Sequence, residues 1–213
     1  MHALLNALLM AALLLNLFAL GTSRIRALIN AVGLQGLALG MMPLLMHRHI
    51  EWLTVLVAIG TMVLKGLVIP RMLFKALRDA QIKREIEPLV GFLPSILLGA
   101  FGMAASVVVA ARLPLSPAHA QTLIVPASFS TIFTGFILLT GRIKAITQAI
   151  GYLVLENGIF IFGLLLLNAM PFLVELGVLL DLFVGIFVIS IIIHHINREF
   201  ASMDTRRLSA LKE

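Results

Sequence analysis

No cysteine occurs among the 213 residues, which excludes disulfides, cysteine-ligated iron–sulfur clusters and thiol catalysis on this chain. Charge is scarce as well. Asp, Glu, Lys and Arg make up 12% of the residues, about half the share of an ordinary soluble domain. Glycine-rich phosphate loops and serine-nucleophile motifs are lacking. The six histidines fall in loops and at helix ends, without ligand-like clustering apart from the pair His194–His195. These deficits argue against a chain that catalyses alone, and no cofactor or metal is expected on it.

What is present is hydrocarbon. Hydrophobic residues make up 61% of the chain, and the mean hydropathy is +1.08. Apolar runs recur from end to end, which predicts an all-α, polytopic integral membrane protein built as a single transmembrane domain, in contact with membrane lipid. Seven spans are expected, at about 3–21, 25–46, 51–77, 88–111, 119–140, 145–168 and 171–197, each close to the roughly 20 residues that cross a hydrocarbon core. The first run is not read as a signal peptide, because no small-residue cleavage site follows it. Residues 198–213 form a polar tail. The segment 78–87 (RDAQIKREIE) reads as a solvated connector, and no internal repeat is evident.

A pI near 10.5 by itself suggests nucleic acid, but the basic residues sit where membrane topology places them. With the N-terminus outside, the inside segments hold Arg24, Arg26, Arg71, Lys75, Arg78, Lys83, Arg84, Arg142 and Lys144, and the tail adds Arg198, Arg206, Arg207 and Lys212. Outside there are only Arg48 and Arg112. The positive-inside rule thus predicts an N-terminus outside, a cytoplasmic C-terminus and residence in the inner (cytoplasmic) membrane, with no role for nucleic acid.

Apart from Glu51 at a span end and the basic residues counted as inside, four charged residues fall within the predicted spans: Lys65, Glu156, Glu175 and Asp181. Each costs about 2.5–3.5 kcal/mol at mid-membrane on insertion scales, so their presence points to function. Lys65 lies near the midpoint of the third span. Pro70, five residues on, cannot donate to the carbonyl of Gly66, which frees a polar backbone oxygen beside the lysine. Glu156 lies midway along the sixth span, followed by Asn157 and Gly158. The short turn Asn168-Ala169-Met170-Pro171 makes the sixth and seventh spans antiparallel neighbours. In the seventh, Glu175 is about one turn deep, and Asp181 lies six residues, about 9 Å, deeper. Gly177 and Gly185 flank Asp181 on one face.

A carboxyl ordinarily releases its proton at about pH 4. Burial disfavours its charged form and a nearby cation favours it, so a lysine among carboxyls makes a system sensitive to small movements. Lys65, Glu156 and Asp181 at matched depth are therefore the expected proton-relay residues, with Glu175 a possible secondary one. The bland readings are a structural charge pair holding helices together and a lysine snorkelling to an interface. In the second span, Gly36 and Gly40 suit close helix packing. In the fifth, Ser128, Ser130, Thr131 and Thr134 suit back-bonding or helix bridging, and Pro126 is expected to disturb the helix there.

Carried by Gly151-Tyr-Leu-Val-Leu-Glu156-Asn157-Gly158, by Leu173-Val-Glu175-Leu-Gly177 with Asp181, by Lys65 with Pro70, and by the tail ending Leu208-Ser-Ala-Leu211-Lys212, the chain resembles membrane component E of hydrogenase-4-type complexes. About residues 119–200 are similar to the K subunit of respiratory complex I and to the small subunit of multisubunit sodium/proton antiporters. In the K subunit two intramembrane glutamates belong to a hydrophilic axis, and by position they correspond to Glu156 and Asp181. The second is an aspartate here, with a shorter side chain.

The resemblance implies partners: large antiporter-like membrane subunits, a membrane anchor subunit, and a peripheral nickel–iron hydrogenase or formate-linked module. The nickel–iron centre and iron–sulfur clusters would reside on those chains. It implies a non-catalytic membrane-arm subunit of a group 4 nickel–iron hydrogenase or formate hydrogenlyase-type ion pump. The alternatives are a small subunit of a cation/proton antiporter without a redox module, and a purely structural assembly subunit.

Overall fold

A computed structural model describes residues 2–46, 52–79, 88–114 and 122–166, together with Ile86, Gly177 and Ser190. The chain there is all α-helical, and six stretches are long and apolar enough to cross a membrane. Helix α1 (His2–Gly21) turns within three residues into α2 (Ile25–Met46). The next span is compound: α3 (Trp52–Val63), a π-helical turn (Leu64–Val68) and α4 (Ile69–Asp79) follow without a break. Then come α5 (Phe92–Arg112), α6 (Ile124–Gly141) and α7 (Ala145–Gly163), the last closed by a 3-10 turn at Leu164–Leu166. The expected seventh span, Gly177 and Ser190 apart, lies outside the described residues.

Helices α2, α6 and α7 are buried over most of their length, whereas α3 and α5 sit at the periphery with apolar outer faces. Outward-facing Leu93, Leu97 and Phe101 on α5 fit a lipid-facing surface. Helix α4 differs in composition. It buries Ile69, Leu73, Ala76 and Leu77 and exposes Arg71, Lys75 and Arg78 on the opposite face, as expected where a span leaves the hydrocarbon.

The α6–α7 hairpin is drawn tight by small residues. A Cβ added at Gly135 would lie 2.4 Å from the backbone nitrogen of Leu155, and one at Gly151 would lie 2.5 Å from that of Leu139. Backbone atoms cannot move aside as side chains can, so only glycine admits this approach. At the α6–α7 turn, the fully buried Arg142 donates through Nη2 to the carbonyl of Leu20 (2.8 Å) at the end of α1. Its guanidinium also stacks 5.1 Å from the Phe92 ring at the start of α5. A cation suits the negative end of a helix. Burial lowers the pKa of this guanidinium, but arginine starts so high that it stays charged.

Two boundaries differ from expectation. The fourth span starts at Phe92 and not at Pro88, which instead pairs in a bridge with Arg142. Pro94 and Pro126 therefore fall in the first turns of α5 and α6, where a missing N–H costs nothing. Neither breaks its helix.

Apolar packing forms two clusters, one towards each end of the bundle. One includes Leu20, Ile25, Leu28, Leu73 and Ile150; the other includes Leu5, Leu9, Leu39, Ile124 and Phe160. Between them lies a layer of polar side chains.

Candidate functional site

Three local features set the polar layer. The first is the π turn. An α-helix entering Pro70 would drive its ring against the carbonyl four residues earlier; the wider turn instead lets the N–H of Ile69 bond the carbonyl of Leu64. Lys65 lies inside that turn and is buried. The second is Gly36 on α2, where an added Cβ would lie 2.7 Å from Cβ of Lys65, so the lysine backbone passes hard against α2. The third is Gly158 on α7, where a Cβ would lie 2.5 Å from the nitrogen of Ile132. This seats α7 on α6 beside Glu156 and Asn157.

Together these bring Lys65 Nζ to 2.7 Å from Glu156 Oε1, with the two side chains only 5% and 4% exposed. The charges are 91 positions apart in sequence and meet near the middle of their spans. At that depth an isolated charge is costly, and mutual attraction with added hydrogen bonds offsets much of the cost. The ammonium also donates to Asn157 Oδ1 (3.3 Å) and lies 5.5 Å from the centre of the Phe160 ring.

From Asn157 the hydrogen bonds continue across the bundle. Its Nδ2 donates to Gln35 Oε1 (3.1 Å) on α2. Gln35 Nε2 donates to Asn16 Oδ1 (3.0 Å) on α1, and Asn16 Nδ2 to Thr131 Oγ1 (2.8 Å) on α6. A space of about 10 Å³, lined by Val32, Lys65, Ile69, Leu153 and Asn157, lies beside the ion pair. That is about the room one water needs.

Of the four residues expected to handle protons, Glu156 and Lys65 are brought into direct contact. Asp181 and Glu175 lie outside the described residues. The lysine pairs within the bundle and does not snorkel. Thr131 and Ser128 back-bond to the carbonyls of Ala127 and Val125, and Thr131 in addition bridges to α1. Sequence reasoning missed Gln35 and Asn16. Their signal was an amide set well inside each of two mainly apolar runs, which also carry Asn6 and Asn30 nearer their starts. Among the described residues, no group of three His, Asp or Glu side chains is arranged to hold a metal ion.

Six apolar spans around a buried ion pair and an amide network define a multi-pass helical membrane protein. Its buried charges are of the kind found in membrane subunits of transport and oxidoreductase systems. The chain is 32% identical over 192 residues to the uncharacterized protein Rv0085 of Mycobacterium tuberculosis, covering 89% of this chain and 87% of that protein, and it belongs to that protein's family. No family model and no solved structure matches it.

Proposed function

We propose that the chain is a non-catalytic membrane-arm subunit of a redox-driven ion pump of the group 4 nickel–iron hydrogenase or formate hydrogenlyase type, in the cytoplasmic membrane. Glu156 and Asp181 act as relay carboxylates and Lys65 as the cation that tunes them. The observation that supports this reading is the Lys65–Glu156 contact at 2.7 Å, buried at mid-span. A carboxyl held against a lysine in a low-dielectric layer changes its proton affinity when the distance between them changes. Large antiporter-like subunits would continue the path on either side, and a peripheral module would carry the nickel–iron centre and iron–sulfur clusters.

The decisive test uses the native complex, purified in mild detergent and reconstituted. Glu156→Gln is expected to lower ion translocation by about 10²-fold, the scale of a lost proton-transfer group, while electron transfer by the peripheral module persists. Wild-type translocation in this variant rules the relay out. A complex that purifies without a metal-containing arm points instead to a cation/proton antiporter.

A further inference from the structure

The hydrogen bonds that link Lys65 to Thr131 run one way, and backbone groups dictate the direction. At the far end, Thr131 Oγ1 donates its only proton to the carbonyl of Ala127 at 2.6 Å. A carbonyl only accepts, so the hydroxyl has nothing but lone pairs left for Asn16. Asn16 must therefore turn Nδ2 towards Thr131 and Oδ1 towards Gln35. Gln35 Nε2 also lies 3.4 Å from the carbonyl of Ala12, a second group that only accepts. Gln35 is thus left to present Oε1 to Asn157, and Asn157 to present Oδ1 to Lys65. Two main-chain carbonyls, one on α1 and one on α6, fix the orientation of three amides. The series ends with an oxygen aimed at Lys65.

With Glu156 Oε1 at 2.7 Å, Lys65 Nζ faces acceptors from two directions. An ammonium suits such a site, because it has three protons to donate and no lone pair. Each amide also turns the negative end of its dipole towards the cation, and aligned hydrogen bonds polarise one another. Amides that only bridged helices would not need a common direction.

We propose that Asn157, Gln35, Asn16 and Thr131 are positioning residues that hold Lys65 as an ammonium donor, so that the proton exchanged at this pair is carried by Glu156 and not by the lysine. The second half of this statement rests on the proton-handling role argued above. The first half does not.

The test uses the full-length chain in lipid nanodiscs with ¹⁵N-labelled lysine, the Lys65 Nζ signal being assigned by its loss in Lys65→Met. Wild type should show an ammonium signal that exchanges slowly with deuterated solvent. Gln35→Leu and Thr131→Val should each speed that exchange by about tenfold, because an Asn157 no longer oriented from behind releases its hydrogen bond to the ammonium, and Thr131→Ser should restore the wild-type rate. Thr131→Val is close to threonine in shape and supplies the measurement where Gln35→Leu fails to insert. An unchanged signal and exchange rate in the variants, or a neutral amine in wild type, overturns the positioning role. Full ion translocation in Glu156→Gln overturns Glu156 as the carrier, and the Lys65 signal judges the positioning residues separately.

Discussion

Each member of the Lys65–Glu156 pair makes the other tolerable, and that dependence is measurable. Removing one partner leaves a buried charge without compensation, which typically costs about 3–5 kcal/mol, whereas removing both leaves a neutral site. Lys65→Met is therefore expected to destabilise the protein by about that amount. Lys65→Met combined with Glu156→Gln should recover most of the loss. Denaturation of the four proteins of this cycle in one detergent gives the coupling energy. Additive losses mean that the 2.7 Å contact contributes nothing to stability. At this scale the sequence was legible for the charges and their matched depth, and not for the amides that join them. Lys65 and Glu156 stand out in apolar runs because ionised groups are so costly there. Gln35 and Asn16 do not, because a neutral amide costs much less. That the four meet depends on helix rotations that no local pattern records.

Among the elements, α6 and α7 position the site, and glycines set their distance. Gly158 faces the backbone of α6: a Cβ there would meet Ile132 N at 2.5 Å and the carbonyl of Ser128 at 2.9 Å. Gly60 on α3 has nothing within 4 Å. Gly158→Ala should cost about 1–3 kcal/mol through forced separation of the two helices and weaken the ion pair beside it. Gly60→Ala should stabilise by about 0.5–1 kcal/mol, since alanine is the better helix former. Equal effects at the two positions would contradict the close approach of α6 and α7. The spans were legible as runs, because crossing a hydrocarbon core demands them. Their starts at Phe92 and Ile124 were less so, since a proline such as Pro126 reads as a disturbance of the helix until the first turn is located. The π turn was foreshadowed by Pro70, but a proline signals only that an α-helical turn must adjust. How it adjusts here depends on Gly36 and the face of α2.

At the scale of the whole molecule, an even number of described spans returns Leu166 to the side on which His2 begins. The other side carries the α1–α2 turn with Arg24, the basic face of α4 with Arg71, Lys75 and Arg78, and the α6–α7 turn with Lys144. Arg142 also lies at that turn, but it is wholly buried on Leu20 and Phe92 and serves packing as well as topology. Positive charge retained on the cytoplasmic side would place His2 and Leu166 outside, and a seventh crossing would carry the basic tail inside. Because the chain has no cysteine, single introduced thiols report sidedness without background. In intact cells, Ala3→Cys and Ala169→Cys should react with a membrane-impermeant maleimide, and Ser209→Cys should react only after permeabilisation. Labelling of Ser209→Cys from outside together with the other two would mean that the residues after Leu166 do not cross. It would also take Asp181 away from the depth of the Lys65–Glu156 pair. The two-carboxylate relay therefore requires this seventh crossing, and that requirement can be tested before any partner subunit is known.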